Sequence, residues 1–294
     1  MSTVAFAPAK INLFLHVGAP GDDSYHPLCS LMVFADIGDK VVIHEADALS
    51  VRVHGPFAAG LAAEDDNLVL RAVRALLART RGPQPPLCLS LEKNLPVAAG
   101  LGGGSSDAGA ALRLMRAALH VDLDDEMLEA VAASLGADGA ACLWGRPVLA
   151  EGRGEQLTPS PRLPTIEAVL VNPGVGVSTP AVYRALDESQ AFGEVVPPPV
   201  PEAFESVEEL AAWLGMMRND LQGPAVALAP EIGDVVETLA GEPETLFARM
   251  SGSGATCFAI CASDIEADAL ADRVATMRPD WWVRRCRLGG PWPD

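Results

Sequence analysis

The segment from Pro96 to Asp107, PVAAGLGGGSSD, combines residue types that suit phosphate binding. Its glycines leave the main chain with little Cβ cover, so the backbone can adopt positive φ and bring its N–H groups against a ligand. Ser105, Ser106 and Asp107 are residue types that cap helices, and a helix is predicted over 105–118. Unpaired N–H groups and the helix dipole together favour an anion. A flexible turn before a capped helix is the alternative.

This loop is neither of the two common glycine-rich nucleotide motifs. No lysine follows its glycines, as a P-loop requires, and it does not follow an N-terminal strand, as a dinucleotide fingerprint does. A second glycine turn, Gly252-Ser253-Gly254, lies between two predicted strands. It could approach phosphates from the other side, and a β-hairpin is the competing interpretation.

Lys10 and Asn12 occupy alternate positions at the start of an apolar strand predicted over 11–17. Residues two apart share a face of a strand, so the two side chains point the same way. A lysine among core hydrophobes is costly unless an anion pairs with its ammonium. From this segment alone, a strand-edge lysine with its ammonium in water is an equal alternative.

Two further segments carry side chains that could meet a ligand. Tyr25 and His26 follow each other in a polar turn, and such loops recognise ring systems by stacking and hydrogen bonding. Asp138 is flanked by small residues at the end of a predicted helix, which gives its carboxylate room beside a ligand. Taken singly, the Tyr25-His26 segment is explained by a turn with a structural role only. Asp138 could equally be a turn aspartate that bonds its own backbone.

Composition limits the function classes. The net charge of −18 argues against nucleic-acid or anionic-membrane binding, and no apolar run reaches the length of a membrane span. The N-terminus lacks the pattern of a secretory signal, and the six cysteines form no C-x-x-C pair, so we expect free thiols, a cytoplasmic location and no dedicated metal site. The chain has only three lysines: Lys40 fits a surface charge, whereas Lys10 and Lys93 lie in motifs.

The predicted elements favour two α+β domains over a doubly wound sheet, because strands and helices are mixed without strict alternation. A proline cluster at 158–164 is the best boundary, which divides the chain into 1–160 and 161–294. Strands are predicted at 11–17, 40–45, 49–54, 87–91, 166–171, 245–250, 256–261 and 281–288, with a turn-rich β region at 142–157. Helices are predicted at 67–80, 105–118, 124–135, after 178–180, near 206–217 and 230–240, and at 264–277.

Taken together, the motifs resemble the GHMP kinases in order and spacing. The matching segments are Pro8-Ala9-Lys10-Ile11-Asn12-Leu13, Tyr25-His26, the loop at 96–107, Gly136-Ala137-Asp138, Ser178-Thr179, Asn219-Asp220-Leu221 and Met250-Ser251-Gly252-Ser253-Gly254. Within the superfamily, the Lys10 segment, Tyr25-His26 and the triple-glycine loop resemble the branch that phosphorylates 4-diphosphocytidyl-2-C-methyl-D-erythritol. The loop alone indicates only the superfamily.

The resemblance implies a two-domain α+β GHMP-kinase fold with the active site in the cleft between the domains. It implies transfer of the ATP γ-phosphoryl group, with Mg²⁺, to the 2-hydroxyl of that cytidine diphosphate alcohol on the non-mevalonate route to isoprenoid precursors. The partners would be small molecules only, and the chain a monomer or homodimer. Kinases for homoserine or mevalonate are the alternative within the superfamily, and a non-catalytic nucleotide-binding protein on the same fold is the alternative outside it.

The resemblance also implies roles for individual residues. Lys10 and Asp138 would be the catalytic pair, and Gly252, Ser253 and Gly254 a supporting loop. Asn12, Tyr25, His26, Thr179 and Tyr183 would bind the acceptor, with the two tyrosines on opposite faces of the base. ATP would be bound by Asn67, Lys93, Pro96, Val97, Ala98, Ala99, Gly100, Leu101, Gly102, Gly103, Gly104, Ser105 and Ser106.

Three departures from the family pattern bear on these roles. Ser24 stands where the family has a glycine, which affects the ring pose of Tyr25. The segment 18–21 lacks a basic residue usual upstream of that turn. After Asp138 this chain has Gly139-Ala140-Ala141 where the family has bulky apolar residues, which predicts a looser wall behind the carboxylate. None of them removes a catalytic group.

Overall fold

The computed structural model describes residues 3–59, 61, 67–80, 85–196 and 199–293. Within these ranges the strands are β1 (Val4–Val17), β2 (Leu28–Glu45), β3 (Ser50–His54), β4 (Leu87–Glu92), β5 (Val148–Gly152), β6 (Gln156–Pro159), β7 (Ile166–Asn172), β8 (Thr245–Met250), β9 (Cys257–Cys261) and β10 (Trp282–Gly289). The helices are α1 (Leu68–Leu77), α2 (Gly103–Ala118), α3 (Asp125–Ala133), α4 (Gly139–Trp144), α5 (Thr179–Ser189), α6 (Val207–Leu214), α7 (Gln222–Leu228), α8 (Glu231–Ala240) and α9 (Asp264–Met277).

The described strands join in one sheet with the central order β3-β4-β2-β10-β7-β9-β8. All pairs are antiparallel except β3 with β4. Strand β1 pairs along most of β2. Strand β5 pairs with residues 28–32 of β2 and also with β6. The two halves of the chain meet where β10 pairs with β2, through Leu288 with Ala35 and Gly289 with Phe34.

Strand β1 places the two polar side chains of the Lys10 segment in the interior. It is buried from Ala7 to Val17, and its pairing with β2 shifts between Pro8 and Lys10 and again between Asn12 and Phe14. Such irregularities re-aim side chains. Lys10 and Asn12 are therefore directed by one buried, irregular stretch, which rules out the strand-edge lysine in water.

Three large apolar clusters surround the sheet. One packs α1, α2, α3 and α4 against the first-half strands, and another packs α5, α7, α8 and α9 against β7 and β9. The third is shared by both halves: Ile11 and Leu31 from β1 and β2 lie in it together with Leu170 of β7, Trp213 of α6 and Phe258 of β9. Sheet and helices are thus mixed as an α+β fold requires.

Helix α2 begins differently from the prediction. Its first residue is Gly103 and its N-cap is Gly102, at φ 60 and without a side-chain capping bond. Ser105, Ser106 and Asp107 are therefore inside the first two turns, and the prediction that they cap the helix is wrong. The glycine takes the left-handed conformation that the sharp entry into the helix requires, at no steric cost.

Other elements differ in extent or kind. β2 runs from Leu28, although only 40–45 was predicted, because a strand buried on both faces shows no alternation. Residues 139–144 form α4, although a turn-rich β region was predicted from 142, so Asp138 precedes a helix instead of ending one. Helix α7 was not predicted. The proline-rich segment 197–201, whose composition predicts a loop, lies partly outside the described residues.

All six cysteines are buried and free, which confirms that expectation. Lys40 is exposed, as its assignment to the surface requires. In the described part of the chain, no helix has both the length and the apolar character needed to cross a bilayer.

Candidate active site

A cavity of about 730 Å³ lies between residues of both halves of the chain. This volume is in the range of small-molecule and cofactor sites. Two of the residues predicted for the site, Ser106 and Gly254, are buried behind its wall. The others line the cavity: Lys10, Asn12, Tyr25, His26, Asn67, Lys93, the loop 96–105, Asp138, Thr179, Tyr183, Gly252 and Ser253.

Lys10 forms an ion pair with Asp138 on the cavity wall. The distance from Lys10 Nζ to Asp138 Oδ2 is 2.9 Å, and Lys10 Nζ also donates to Asn12 Oδ1 at 2.6 Å. The lysine side chain is 5% exposed and the aspartate side chain 30%, so the carboxylate is the member that faces the cavity. An ammonium and a carboxylate held together in this way can act on a hydroxyl group and on a phosphoryl group at once.

Asn12 is fixed by a buried chain of hydrogen bonds. Its Nδ2 donates to Ser30 Oγ at 2.7 Å, and Ser30 Oγ donates to the carbonyl of Phe14 at 2.6 Å. The Asn12 amide oxygen must therefore face Lys10, because the nitrogen is already committed to the hydroxyl. The chain orients the ammonium toward Asp138 without a further charge.

Asp138 lies directly before α4, and its side chain makes no capping bond to that helix. The carboxylate is therefore free for Lys10. A Cβ on Gly139 would lie 2.0 Å from the carbonyl oxygen of Ala132 in α3, so this glycine lets the two helices touch. Ala140 and Ala141 are buried behind it. The looser wall predicted here is not found, because close packing against α3 replaces the bulk of larger side chains.

The glycine-rich loop presents a row of unpaired amides. Among the described residues, no protein acceptor receives a hydrogen bond from the N–H groups of 97–105; the next amide, Ser106 N, bonds to Gly102 O at 2.9 Å. Ala98, Gly100 and Gly102 have φ of 52, 74 and 60, so every second residue is left-handed. Alternation of this kind turns successive amides inward to form an anion-binding concavity, and α2 adds the dipole of its N-terminus.

Carbonyls of the same loop hold it to the rest of the site. Lys10 N donates to Leu101 O at 2.8 Å, and Thr256 N donates to Ala99 O at 3.0 Å. Ser251 Oγ donates to Gly100 O at 3.0 Å and accepts from Asn12 N at 3.1 Å. The carbonyl groups of the loop are thus bonded to the protein, whereas its N–H groups remain available to a ligand in the cavity.

Gly100 is the position where this anchoring demands a glycine. A Cβ there would lie 2.3 Å from the carbonyl oxygen of Ser251, and φ is 74. The turn Gly252-Ser253-Gly254 thus lies against the loop and also joins the antiparallel strands β8 and β9. The hairpin interpretation is confirmed, and the role of the turn as a support for a bound phosphate stays a prediction. Thr179 Oγ1 and Ser253 Oγ, 2.8 Å apart, tie this turn to α5.

Lys93 is buried beneath the loop between two carboxylates. Its ammonium donates to Asp39 Oδ2 and, at 2.7 Å, to Asp107 Oδ2 in α2. Burial opposes the lysine charge, but the two carboxylates outweigh it and raise the pKa of Lys93. Burial raises the pKa of Asp107 to about 8; Lys93 opposes this shift and Asp39 adds to it. This cluster braces the start of α2 from below.

His26 and Tyr183 line the cavity and belong to a cluster of rings that also contains Phe192. The ring centroids of His26 and Tyr183 are 5.1 Å apart, and those of His26 and Phe192 are 5.9 Å apart. His26 Nδ1 lies 2.9 Å from the carbonyl of Gly18, and Nε2 lies 3.3 Å from Asp187 Oδ1. Burial, with a smaller contribution from Asp138, raises the pKa of Tyr183 to about 12, so its hydroxyl stays protonated.

Tyr25 is the exposed member of this region, at 58% exposure. Ser24, just before it, has φ 64, so the serine adopts the left-handed conformation that a glycine takes without strain. Arg153 lies over the Tyr25 ring, with Cζ 4.1 Å from the ring centroid. Asn67, which also lines the cavity, caps α1 by accepting from Val69 N at 2.9 Å.

Comparison with known proteins identifies the family. The family model of the N-terminal domain of GHMP kinases matches residues 67–146, and that of the C-terminal domain matches residues 201–279. A 4-diphosphocytidyl-2-C-methyl-D-erythritol kinase of Caulobacter sp. (strain K31) is 64% identical over 288 residues, which cover 98% of each chain. The chain belongs to the 4-diphosphocytidyl-2-C-methyl-D-erythritol kinases. A relative of the same description from Hyphomonas neptunium (strain ATCC 15444) is 48% identical and covers 98% of this chain and 97% of its own.

Solved structures agree with this kinase family. A crystal structure of 4-(cytidine 5'-diphospho)-2C-methyl-D-erythritol kinase has a TM-score of 0.79 and 33% identity, covering 98% of this chain and 100% of that one. A homoserine kinase from Cytophaga hutchinsonii has a TM-score of 0.71 at 18% identity, covering 98% and 96%, and therefore shows the shared fold alone. The predicted superfamily and its two-domain α+β fold are confirmed.

Several residues of this kinase site were not predicted from the sequence. Asp39 is separated by 54 positions from the lysine it pairs with, and no local pattern singles it out. Ser251 stands within a quoted motif, but only the fold shows that its hydroxyl joins Asn12 to the loop. Arg153 reaches Tyr25 from the turn-rich β region predicted at 142–157, in which no residue was assigned to the site.

Proposed function

We propose that this kinase transfers the γ-phosphoryl group of ATP to the 2-hydroxyl of 4-diphosphocytidyl-2-C-methyl-D-erythritol, a step on the non-mevalonate route to isoprenoid precursors. One observation carries the proposal. The N–H groups of 97–105, which have no hydrogen-bond partner among the described residues, and the Lys10–Asp138 pair open into one cavity. The relatives that cover nearly the whole chain bear the name of this activity.

The amide row would hold the ATP phosphates. Main-chain dipoles fixed before the ligand arrives bind phosphate without side-chain cations, which suits a chain with only three lysines. The proposed ATP site comprises Pro96 to Ser105, backed by the buried Ser106, with Asn67 and Lys93 toward the nucleoside. The contacts of Lys93 with Asp39 and Asp107 support an indirect role for its ammonium, which would steady α2 beneath the phosphates.

Lys10 and Asp138 would carry the chemistry. In the proposed step, the acceptor's 2-hydroxyl oxygen forms a bond to the γ-phosphorus, the bond from that phosphorus to the β,γ-bridging oxygen breaks, and ADP leaves. The hydroxyl proton goes to the Asp138 carboxylate, while the Lys10 ammonium faces the negative charge on the transferred group. The 2.9 Å ion pair supports this division, since one group then orients the other.

The donor set at the loop also fits Mg²⁺. This ion is bound in proteins by oxygen ligands, commonly one or two carboxylates together with substrate phosphates. Asp138 and Ser105 line the cavity beside the amide row and offer a carboxylate and a hydroxyl. We propose that the Ser105 hydroxyl and the phosphates would hold the ion, which when bound would neutralise part of the phosphate charge, while the Asp138 carboxylate, paired with Lys10, would stay available for the hydroxyl proton.

The acceptor's cytidine would lie in the aromatic part of the cavity, between Tyr25 and Tyr183. His26 packs against Tyr183, and its Nδ1 is held by the carbonyl of Gly18, which supports a role in fixing the base-binding ring. Asn12 and Thr179 line the same cavity, and we propose that the diphosphate and the polyol pass along them.

The remaining expectations are retained as proposals. The N-terminal unit would comprise 1–160 and the C-terminal unit 161–294, with the cavity between them. A cytoplasmic location is supported by six buried free cysteines, since disulfides form in oxidising compartments. The partners would be the two small-molecule substrates, without nucleic acid or membrane, and the chain would be a monomer or a homodimer.

An acceptor panel tests the proposal. The purified protein is incubated with ATP and Mg²⁺ and, in parallel, with the cytidine diphosphate alcohol, 2-C-methyl-D-erythritol 4-phosphate, homoserine and mevalonate, and the phosphorylated product is identified by mass spectrometry. We expect product from the cytidine compound only, because the other acceptors lack the ring that the tyrosines would stack against. Phosphorylation of homoserine or mevalonate without the cytidine compound would refute the assignment.

A further inference from the structure

The turn between β5 and β6 brings an arginine to the mouth of the cavity. Gly152, the last residue of β5, pairs with Leu28, the first residue of β2, so the β5–β6 turn lies beside the Tyr25–His26 turn that precedes β2. Gly152 and Gly154 have φ of 71 and 109, which bends the chain sharply on both sides of Arg153. The sheet register therefore sets where Arg153 stands.

Arg153, Asp23 and Tyr25 form a closed triangle of contacts. Arg153 Nη2 pairs with Asp23 Oδ2, and Asp23 Oδ1 accepts from the backbone N–H of Tyr25 at 3.0 Å. The third side is the guanidinium over the Tyr25 ring, with Cζ 4.1 Å from the centroid. One carboxylate thus fixes both the main chain of the tyrosine and the cation that covers its ring.

The Tyr25 ring depends on this triangle for its orientation. The backbone of the turn is closed by Gly21 N to Tyr25 O at 2.9 Å and Ser24 N to Gly21 O at 2.9 Å, but these bonds leave the tyrosine χ angles free. The ring is 58% exposed, and among the described residues no aromatic ring packs against it. An unrestrained ring loses rotamer freedom when a base stacks on it, and that loss weakens binding.

We infer that Arg153 is a positioning residue for the acceptor: held by Asp23, it fixes the Tyr25 ring in the orientation that the acceptor's base requires. The inference rests on the proposed function, because it assigns to Tyr25 the stacking role proposed above. Arg153 acts through Tyr25 and not through the reacting atoms, so its removal weakens acceptor binding and leaves ATP binding and the chemical step in place.

A direct contact between Arg153 and the acceptor's diphosphate is the competing explanation, and a double-mutant cycle separates the two. If Arg153 acts through the ring, its replacement has no further effect once the ring is gone; if it binds phosphate, the two losses add. The enzymes compared are the wild type, Arg153→Met, Tyr25→Ala and the double variant. Arg153→Lys serves as the conservative variant, and Arg146→Met removes an exposed guanidinium that lies 5.2 Å from the Trp144 ring and away from the cavity.

We expect Arg153→Met to raise the acceptor KM about two- to fivefold, the size of an exposed cation–π contact, with kcat and the ATP KM unchanged. Arg153→Lys should recover part of the loss and Arg146→Met should resemble the wild type. The double variant should have the same acceptor KM as Tyr25→Ala alone. Additive losses, or an unchanged KM in Arg153→Met, would overturn the inference.

A second measurement needs no substrate. The chain has two tyrosines, so protein labelled with 3-fluorotyrosine gives two ¹⁹F signals, which Tyr183→Phe assigns. In the ligand-free protein we expect Arg153→Met to move the Tyr25 signal and leave the Tyr183 signal in place; a Tyr25 signal that stays in place contradicts the triangle. The acceptor panel judges the proposed function separately, because a wild-type protein without activity on the cytidine compound refutes that function while the fluorine signals still test the triangle.

Discussion

At the scale of single residues, the site separates the group that reacts from the groups that orient it. Asp138 is the half-buried, cavity-facing end of a chain that runs from the Phe14 carbonyl through Ser30 and Asn12 to Lys10. Each side chain of the chain has one orientation in which its hydrogen bonds are made, so the position of the Lys10 ammonium is fixed before any substrate binds. Such preorganisation is what phosphoryl transfer demands, since its catalysis is mostly positioning and charge neutralisation.

The Asp138→Asn variant tests the role at the end of that chain. An amide cannot accept the hydroxyl proton, so we expect kcat to fall by about 10²-fold or more while the affinity for ATP changes little. Steady-state kinetics and nucleotide binding by calorimetry measure the two quantities. Asp36→Asn is the matched control, because Asp36 pairs with Arg287 away from the cavity and should leave kcat unchanged. Turnover near the wild-type rate in Asp138→Asn would remove Asp138 from the mechanism.

At the scale of elements, the phosphate loop and α2 work as one unit with a charged support. The loop fixes its carbonyls against β1 and the 251–256 turn, and α2 is held by Asp107, whose carboxylate shares the Lys93 ammonium with Asp39. Because two buried carboxyl groups share one ammonium, either one of them is protonated or one negative charge is uncompensated. The stability of this cluster therefore depends on pH.

The pH dependence of stability follows from Asp107. Its folded-state pKa is raised to about 8, far above that of an unfolded aspartate, so its contribution to stability is full below about pH 4 and is lost as the pH rises toward 8. Replacement by asparagine removes the titration. We therefore expect Asp107→Asn to gain a few degrees in Tm over the wild type at about pH 8 and to gain less, or nothing, at about pH 5.

Differential scanning calorimetry at the two pH values measures this change. Asp125→Asn is the control: this carboxylate is exposed and paired with Arg116, and its Tm difference from the wild type should be the same at both values. An Asp107→Asn difference that does not grow with pH would show that the cluster holds no shared proton.

The sequence predicted the elements that carry local signals and missed those that depend on partners far along the chain. The glycine loop, the Lys10 strand and the amphipathic helix α1 are readable because composition and period are local properties. Most of β2 is buried on both faces and shows no alternation, and α4 is only six residues long, too short for a helical period. Asp39 became a partner of Lys93, and Arg153 a partner of Tyr25, only through sheet pairing and packing.

At the scale of the whole molecule, the two halves share a core as well as a cavity. Strand β10 closes onto β2, and the cluster that contains Ile11 and Leu31 is completed by Leu170, Trp213 and Phe258. Main-chain bonds cross in the same region: Leu15 N donates to Arg218 O, and Asp220 N donates to Leu15 O, each at 2.9 Å. The proposed boundary at 160 therefore divides the chain into two lobes that share an apolar cluster and main-chain hydrogen bonds.

This sharing predicts that the protein unfolds as one unit and that neither lobe folds alone. We expect a single thermal transition with equal calorimetric and van't Hoff enthalpies, and fragments 1–160 and 161–294 that are unfolded or aggregated when separate, because each would expose its part of the shared cluster to water. Mixing the two fragments during refolding should restore the native circular dichroism and kinase activity. Two resolved transitions, or a monomeric 1–160 fragment with a cooperative melt of its own, would contradict the prediction, since the contacts of β10 with β2 would then contribute little to the stability of either lobe.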